Sequence, residues 1–492
     1  MKNIFKKSVN FTDEYCCSIV KIGVCEAIPK YDRIQKTIVN GENVIISKDI
    51  KEGDVMFYIS HECEINPKFL SVNNLYSTSY YNLNSNQQEV KELKDKVTSL
   101  KKEGNETEVK ELELLIKSKC GFFENQNRVK SLKLGGIFSK GFLFTVESMK
   151  KFLPDVDFNG FENYLGTDFD MIDGDIFVKP YYPFKVNQNM SNKEKTKCKI
   201  ENKYKIVKDA FKLHYSTMMF AKNIKKFSPD DEITITKKYH GTSFIVGNVK
   251  VSKEKSFYRL KNFINTISYK ILEKTLFETR YVEYDKVISS ASVIKTIGNK
   301  NLKKGGYYKE DIYSYVGNMI YPYLPEGVTV YGEIVGFLQN GSCIQSQYDY
   351  GCLPKRCKFL IYRVSRQTED GSYEYTINEV LDFTKNLFDK PELRDYIIFN
   401  NILYQGKFCD LYKDIKIDDK WHENVLSRMK NDFGLEQNDK ECRNKVPFEG
   451  IVLRTNKSLV PEAYKLKSEK FLKREGELMD KGESDIELLT KK

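Results

Sequence analysis

The sequence predicts an α+β protein with two domains, a small N-terminal β-barrel and a larger domain of β-strands and helices. The length of 492 residues exceeds what one hydrophobic core usually serves. Closely spaced β-type runs fill residues 16–70, and a second β-rich region extends from about Asp231 to about Lys470 with helical stretches between its strands. These observations favour separate cores for the two parts of the chain.

The N-terminal strands are indicated by three short runs, CCSIVKIGVCEAI, KTIVNGENVIISKDI and DVMFYISHECEI. Within the second run lies Asn40-Gly41, a pair that readily adopts the positive φ angles of a tight hairpin turn. A fourth run, RVKSLKLGGIFSKGFLFTV, spans 128–146. Strands this short and this close together are typical of a small β-barrel.

A helical hairpin is predicted at 86–118, between the third and fourth runs. Apolar residues recur there at spacings of three and four: Val90, Leu93, Val97, Leu100, Val109, Leu112 and Leu115 or Ile116. Two amphipathic helices joined at Gly104-Asn105 would form an antiparallel hairpin inserted into the barrel. The mixed charges of the segment favour a solvated outer face over a nucleic-acid-binding arm.

A Lys- and Asn-rich stretch with few apolar residues, PFKVNQNMSNKEKTKCKIENKYK, marks the predicted domain boundary. Such composition is typical of a surface linker. We therefore expect an N-terminal domain at 1–182, a linker at 183–205 and a second domain at 206–492.

The composition excludes several classes of protein. With 40% hydrophobic residues, the chain is not globally disordered. It has neither a signal-peptide pattern at its start nor an apolar run long enough to span a bilayer, so we expect a cytoplasmic protein, in a cell or in a phage- or virus-infected host, without a membrane partner. The 11 scattered cysteines favour reduced thiols over a zinc site. A net charge of +11 favours a polyanionic partner only weakly over this length.

The run EITITKKYHGTSFIVG indicates a strand that ends at Lys238, with Gly241 in the bend that follows. A lysine can act as a nucleophile only when its amine is neutral, which requires nearby cations or desolvation. Lys237, Lys465 and Lys467 are candidates for those cations. The alternative is an ordinary surface lysine at the end of a strand.

Four downstream segments carry residues suited to binding a nucleotide. Glu333 lies in an apolar strand, and Phe359 to Val364 form a buried-type strand whose aromatic residues can stack on a base. Glu449 precedes another apolar strand and is suited to bind Mg²⁺. Lys465 and Lys467, two residues apart, point to one side of a strand. Alternatively, these carboxylates form structural ion pairs, the aromatics belong to the core and the lysines are solvated.

In this order the segments resemble the motifs of covalent nucleotidyltransferases, the family of ATP-dependent ligases and capping enzymes. The resemblance is to motif I (Lys238-Tyr-His240-Gly241), motif III (Tyr331-Gly-Glu333-Ile), motif IIIa (Phe359 to Val364), motif IV (Glu449-Gly-Ile-Val) and motif V (Lys465-Leu-Lys467). His240 makes motif I similar to the RNA ligase 2-like branch. The N-terminal runs resemble the OB-type module of Deinococcus-type and related phage RNA ligases.

The resemblance implies an OB-type RNA-binding domain followed by an ATP-grasp-like nucleotidyltransferase domain of antiparallel sheets with flanking helices. It also implies an RNA ligase that joins 5′-phosphate and 3′-hydroxyl ends in RNA repair, with ATP and Mg²⁺ or Mn²⁺ as cofactors. Broken RNA is the expected partner, and no protein partner is implied.

The resemblance also implies a role for each motif residue. Lys238 would form a lysyl-AMP intermediate, while Lys465 and Lys467 neutralise the α-phosphate and Glu449 binds the metal. His240 and Gly241 would belong to the nucleotide site through motif I, and Glu333 would bond the ribose. Tyr362 would stack on adenine, with Phe359 as the alternative.

One segment departs from the family pattern. Where relatives carry a phosphate-binding arginine in a Ser-Ser-Arg segment, this chain has Ser289-Ser290-Ala291. Either Arg280 or Lys295 compensates, or adenylation or sealing is weakened. Two other functions therefore stay open, a nucleic-acid-binding protein with a vestigial ligase domain and another polynucleotide ligase.

Overall fold

The computed structural model of the protein describes residues 4–182, 204–215, 217–272, 275–290, 293–296, 310–369, 371–399, 401–433, 437–455 and 462–481. The chain divides into two compact units, one of Met1–Tyr181 with Met218–Lys225 and one of Tyr182–Thr217 with Lys226–Lys492. Both contain sheets and helices, which confirms the α+β class. None of the described helices combines the length and apolar character needed to cross a bilayer. Residues 183–203 of the predicted linker lie outside the described residues.

The secondary structure elements are numbered in chain order. The strands are β1 (Phe5–Lys6), β2 (Cys17–Lys21), β3 (Glu26–Ala27), β4 (Ile34–Val39), β5 (Glu42–Ser47), β6 (Val55–Ile59), β7 (Cys63–Ile65), β8 (Leu132–Leu134), β9 (Ile137–Ser139), β10 (Phe142–Phe144), β11 (Asp168–Phe169), β12 (Met171–Ile172), β13 (Asp175–Ile176), β14 (Val178–Pro180), β15 (Tyr204–Ile206), β16 (Met218–Met219), β17 (Glu232–Lys238), β18 (Thr242–Glu254), β19 (Arg280–Ser290), β20 (Val293–Thr296), β21 (Val328–Gly336), β22 (Cys357–Thr368), β23 (Gly371–Glu374), β24 (Ile397–Phe399), β25 (Ile402–Lys407), β26 (Gly450–Thr455) and β27 (Glu462–Lys467). The α-helices are α1 (Pro67–Val72), α2 (Gln87–Glu103), α3 (Glu106–Lys119), α4 (Val146–Phe152), α5 (Phe220–Asn223), α6 (Tyr258–Leu272), α7 (Ile312–Ile320), α8 (Ile377–Phe388), α9 (Trp421–Asp432) and α10 (Glu469–Asp480). Short 3₁₀ helices occur at Ser79–Tyr81, Phe161–Tyr164, Ile224–Lys226, Tyr321–Tyr323 and Phe408–Tyr412.

Small antiparallel sheets make up the first unit. The largest has the order β10-β6-β2-β11, and a second has the order β3-β4-β5. The turn between β4 and β5 is the predicted one, with positive φ angles of 50° at Asn40 and 76° at Gly41. A core rich in phenylalanine holds the unit together, with Phe57 stacked on Phe144 at 5.3 Å between ring centroids. An OB-type barrel for this unit stays a prediction.

Helices α2 and α3 occupy the segment predicted as a hairpin. Gly104 ends α2 with a φ of 77°, and the Asn105 side chain caps α3. Val97, Leu100 and Val109 are buried together between the helices. Ion pairs also join the two helices: Lys96 with Glu108, Lys101 with Glu113 and Lys119 with Glu89. The helices therefore contact each other through an apolar seam with charged edges.

Residues 218–225 belong to the first unit although they follow it by more than thirty positions in the sequence. The Phe220 side chain is buried. The Lys222 ammonium lies 2.8 Å from Asp168 Oδ1 and 3.4 Å from the Cys16 sulfur. The sequence analysis had placed this segment in the second domain, because local pattern carries no information on such a distant partner.

Two sheets form the second unit. The larger has the order β20-β19-β18-β21-β22-β23, with β24 added in parallel to β22. Helices α7 and α8 cover one of its faces, where Phe244, Ile334 and Phe359 are buried. The smaller sheet contains β27-β26-β17-β25 in that order. Val335 and Leu360 lie on the other face of the larger sheet. There they pack with Tyr239, the residue that follows β17. This arrangement agrees with the predicted antiparallel sheets with flanking helices.

Candidate active site

Lys238 is the last residue of β17 and pairs across the sheet with Gly450, the first residue of β26. Its amine lies 2.8 Å from Glu449 Oε1, with the lysine side chain 23% exposed and the glutamate side chain 3% exposed. The structure therefore brings together an accessible lysine and a buried carboxylate from two predicted motifs.

The electrostatics around Glu449 keep its carboxylate charged. Burial alone would raise the pKa of Glu449, but the nearby side chains of Lys238, His240 and Lys467 outweigh it and lower the pKa. Oε2 of Glu449 is buried and has no hydrogen-bond partner among the residues that the structure describes. An unpartnered buried carboxylate oxygen is costly, so this atom is suited to bind a cation.

Lys465 and Lys467 lie on the same sheet face as Lys238. Lys467 pairs with Gly450, which pairs in turn with Lys238, and directly paired residues point to one side. Two strand spacings separate the Cα atoms of Lys238 and Lys467, or about 10 Å. Lys465 lies two residues earlier on β27 and so faces the same way. The Lys467 amine also lies 3.4 Å from Glu475.

Two glycines allow these strands to approach each other closely. A Cβ on Gly241 would lie 2.4 Å from the Ile334 carbonyl oxygen and 2.9 Å from Glu333 Cγ. Gly450 has a φ of 147°, and a Cβ there would lie 2.2 Å from the Leu466 carbonyl oxygen. Gly241 lies in the bend that the sequence analysis expected, and it also permits close packing against β21.

Substituting Gly241 by alanine is expected to destabilise the second unit. The added methyl group would clash with backbone that belongs to the central strand β21, and overpacking of this kind typically costs about 1 to 3 kcal/mol. Thermal unfolding of the variant measures the loss. Gly23→Ala is the control, because a Cβ there meets nothing within 4 Å. Equal stability of the two variants would contradict the prediction.

His240 is placed by aromatic residues of the second unit. Its backbone N–H donates a hydrogen bond of 2.8 Å to the Tyr350 hydroxyl. Its ring lies 4.9 Å from the Tyr348 ring and 5.0 Å from the Phe471 ring, both edge to face. These contacts hold the turn that follows Lys238.

Lys237 does not lie beside Lys238 as the sequence analysis had expected. Neighbouring residues on a strand point to opposite faces, and Lys237 is buried on the other one. Its amine lies 2.7 Å from Asp439 Oδ1 and 3.0 Å from Glu441 Oε1. It also lies 4.5 Å from the centre of the Tyr239 ring. Lys237 therefore fastens the end of β17 to the segment that leads into Glu449.

The larger sheet contributes Glu333 and Tyr362. Glu333 on β21 pairs with Ser243 on β18 and lies on the face opposite to the helix-covered core. Between β21 and β22 the register shifts, so that Tyr331 pairs with Arg363, Gly332 pairs with Ile361, and Tyr362 is the extra residue of a β-bulge. Bulges of this type re-aim a side chain.

His214 is a site residue that sequence reasoning missed. Its Nδ1 lies 3.0 Å from the Tyr362 hydroxyl, and its Nε2 is hydrogen-bonded to Ser243 Oγ. The chain of Tyr362, His214 and Ser243 therefore runs across the same face as Glu333. In the sequence His214 has no partner at a recognisable spacing, so no local signal marked it.

Phe359 is not brought together with the other candidates. It pairs with Ile334, is buried in the core beneath the helices and packs against the Phe244 ring at 5.3 Å. Of the two aromatic residues considered for stacking, Tyr362 alone lies on the face with Glu333.

Arg454 is a second residue that the sequence analysis missed. It lies on β26, four residues after Gly450, donates a hydrogen bond of 2.9 Å to Thr236 Oγ1 and lies 5.4 Å from the centre of the Tyr362 ring. Burial, together with the nearby Arg363, lowers the pKa of Arg454 to about 10. No carboxylate pairs with Arg454 in the described part of the chain. The alternation of β26 could have revealed it, since residues 450, 452 and 454 share one face.

Of the two expected substitutes for the missing arginine, Arg280 is far from Ser289 and Ser290, whereas Lys295 lies on the strand that pairs with them. Arg280 lies at the other end of β19, roughly 30 Å away along the strand, where it contacts Glu254. Lys295 lies on β20 and pairs with Ile288. Ala291 lies outside the described residues.

Comparison with solved structures shows which known protein has a similar fold. An RNA ligase of Naegleria gruberi, solved as a variant with ATP and Mn, matches with a TM-score of 0.51 at 14% identity, over 93% of this chain and 98% of that one. The same ligase with PPi matches with a TM-score of 0.50 at 12% identity, over 95% and 100% of the two chains. A variant with AMP and Mn also gives 0.50, at 13% identity over 93% and 98% of the two chains.

The two proteins share a fold. The likeness extends over nearly the whole of both chains and includes the units on both sides of the predicted linker. No family model and no curated protein matches the sequence.

Proposed function

We propose that this protein is an ATP-dependent RNA ligase that acts through a lysyl-AMP intermediate. The observation that carries the proposal is the placement of Lys238, Lys465 and Lys467 on one face of the smaller sheet, with the Glu449 carboxylate 2.8 Å from the Lys238 amine. The fold shared with the Naegleria gruberi ligase, which was solved with ATP, AMP and PPi, supports it.

In the first step the neutral amine of Lys238 attacks the α-phosphorus of ATP. A nitrogen–phosphorus bond forms, the bond from the α-phosphorus to the bridging oxygen breaks, and pyrophosphate leaves with its electron pair. The amine loses its proton to solvent. Lys465 and Lys467, on the same face, would neutralise the charge that develops on the α-phosphate oxygens.

Glu449 fits the role of a ligand for a divalent metal ion. Its buried, charged carboxylate has one oxygen paired with Lys238 and the other without a partner in the described structure. Mg²⁺ is usually held by one or two carboxylates together with water and substrate phosphates. A metal bound at Glu449 would supply positive charge against the phosphates and weaken the hold of this carboxylate on the Lys238 amine.

The nucleoside would lie against the larger sheet. Glu333 would accept a hydrogen bond from the ribose, and the Tyr362 ring would stack on adenine. The hydrogen bond between Tyr362 and His214 fixes the orientation of the Tyr362 ring, which belongs to the β-bulge. His214 is therefore proposed as a positioning residue.

Arg454 is proposed to contact an ATP phosphate. A partly buried guanidinium without a carboxylate partner is costly, and a phosphate would give it the bidentate partner that it prefers. It shares the sheet face of Lys238 and would compensate for the arginine absent at position 291.

Replacing Arg454 by methionine is expected to stabilise the fold and weaken ATP binding. Removing the partly buried cation relieves a desolvation cost of about 1 kcal/mol or more. Losing a phosphate contact raises the ATP concentration needed for half-maximal adenylation about tenfold or more. Thermal unfolding and adenylation at varied ATP concentrations measure both. Arg428→Met, which removes an exposed arginine on α9, is the control. Lower stability with unchanged ATP dependence would contradict the prediction.

The later steps would take place on RNA. AMP passes from Lys238 to the 5′-phosphate, and the adjacent 3′-hydroxyl then displaces AMP and closes the phosphodiester bond. We propose that the first unit is an OB-type domain that binds the RNA. We also propose RNA repair as the physiological role.

The test of the proposed function uses α-³²P-labelled ATP and a 5′-labelled nicked RNA duplex, each with Mg²⁺ or Mn²⁺. A labelled protein band on a denaturing gel and a longer RNA strand are expected. A labelled protein that joins nicked DNA but not RNA would indicate another polynucleotide ligase. RNA binding without any labelled protein would indicate a nucleic-acid-binding protein with a vestigial ligase domain.

A further inference from the structure

Helix α6 has its polar side buried and its apolar side exposed. Asn265 and Ser268 are buried, whereas Leu260, Phe263 and Ile267 are 57%, 63% and 43% exposed. The three apolar residues are spaced by three and four and therefore form one stripe. A surface helix of a globular protein ordinarily has the opposite orientation.

The hydrogen bonds of Asn265 explain this orientation. Its side-chain oxygen accepts from the backbone N–H groups of Leu276 and Phe277, both at 2.9 Å, and its amide donates to the Phe277 carbonyl at 2.7 Å. These bonds satisfy the buried amide and hold residues 276 and 277 against the helix. Leu276 and Phe277 are themselves 57% and 44% exposed, so they add exposed apolar side chains on the segment that follows α6.

The charges of α6 are all positive. Its sequence contains Arg259, Lys261 and Lys270 and no aspartate or glutamate. Arg259 is exposed beside the stripe, and the nearby Glu278 is paired with Lys255. We call Leu260, Phe263, Ile267, Leu276 and Phe277 the α6 apolar surface.

The α6 apolar surface lies far from the candidate active site. Strand β18 begins at Thr242, next to Gly241, and ends at Glu254, a length of about 40 Å. Strand β19 returns antiparallel from Arg280. Since α6 connects the distant ends of these two strands, it has no part in the chemistry at Lys238.

We propose that the α6 apolar surface binds an anionic lipid membrane. Helices with a Phe- and Leu-containing apolar face beside Lys and Arg residues lie in the interface of such membranes, with the apolar side chains among the acyl chains. Charge complementarity selects this occupant: a second copy would bring two positive helices together. RNA would match the charge but gives aliphatic side chains such as Leu260 and Ile267 no apolar phase to enter.

Sedimentation with lipid vesicles tests the proposal on the full chain. The wild type is expected to pellet with vesicles of phosphatidylcholine and phosphatidylglycerol, but not of phosphatidylcholine alone, and to be released by salt. Leu260→Ser, Phe263→Ser and Ile267→Ser together should lower partitioning at least tenfold, because each removes apolar area from the acyl region. Arg259→Gln alone should lower it about fivefold.

The matched control carries Leu353→Ser, Phe388→Ser and Ile417→Ser, three exposed residues elsewhere in the same unit. It should bind vesicles like the wild type, and the triple α6 variant should unfold at the wild-type temperature and keep wild-type adenylation. Wild-type protein that fails to bind anionic vesicles would overturn the proposal. The proposal would also be overturned if the wild type formed a dimer or an RNA complex without vesicles and the triple α6 variant did not.

Discussion

Lys238→Ala is expected to abolish the labelled protein formed with α-³²P ATP, a loss of at least about a thousandfold. The variant removes the amine that lies 2.8 Å from Glu449 and that we propose as the nucleophile, whereas Lys465 and Lys467 are proposed to neutralise the α-phosphate. Labelling is measured on a denaturing gel after a fixed incubation time.

The control for this variant is Lys250→Ala, which removes a lysine from β18 in the same unit. It should label like the wild type. A second comparison uses RNA adenylylated beforehand at its 5′-phosphate, which bypasses the first step. Lys238→Ala should join this RNA far better than it joins unmodified RNA with ATP; equal loss in both assays would indicate a folding defect.

Asp439→Asn is expected to lower the stability of the second unit by about 3 kcal/mol or more. The side chains of Lys237 and Asp439 are 5% and 0% exposed, and removal of the negative charge leaves the lysine buried with only the partly exposed Glu441. Adenylation should fall as well, because Asp439 lies on the segment that positions Glu449. Denaturant unfolding, followed through the single tryptophan Trp421, measures the stability change.

A double variant separates charge from packing. Lys237→Met with Asp439→Leu should cost clearly less than the sum of the single losses, since it removes both buried charges. Asp230→Asn is the matched control, because the Asp230 and Lys407 side chains are 83% and 50% exposed and such pairs contribute little. A loss for Asp439→Asn no larger than that of the control would show that the buried pair has no stabilising role.

Strand alternation in the sequence was sufficient to orient Lys238, Lys465 and Lys467. Each lies on a strand with regular apolar alternation, and the structure places all three on one face. Pairing between β17 and β26 could not be derived in this way. These strands lie more than two hundred residues apart, and a local pattern does not identify a pairing partner at that distance in the sequence.

The uncertainty between Phe359 and Tyr362 had a physical origin. The segment FLIYRV is apolar on both faces, so alternation cannot tell which side meets the helices. The β-bulge adds one residue at Tyr362 and changes the facing of everything after it. Such irregularities depend on the neighbouring strand and leave no local pattern.

Lys237, His214 and Arg454 show a related limit. Their roles depend on partners from other elements: Asp439 for Lys237, Tyr362 for His214 and the Tyr362 ring for Arg454. A single sequence shows the residue types but not these contacts between distant elements.

The placement of residues 218–225 in the first unit affects how the chain folds during synthesis. All strands of that unit up to β14 have left the ribosome long before Phe220 and Lys222 emerge. During this interval Asp168 cannot form its ion pair with Lys222. Non-local contacts of this kind delay folding. We expect nascent chains that end before residue 218 to be digested by protease faster than chains that extend past residue 225, and the first unit to reach its final form only when synthesis of the second has begun.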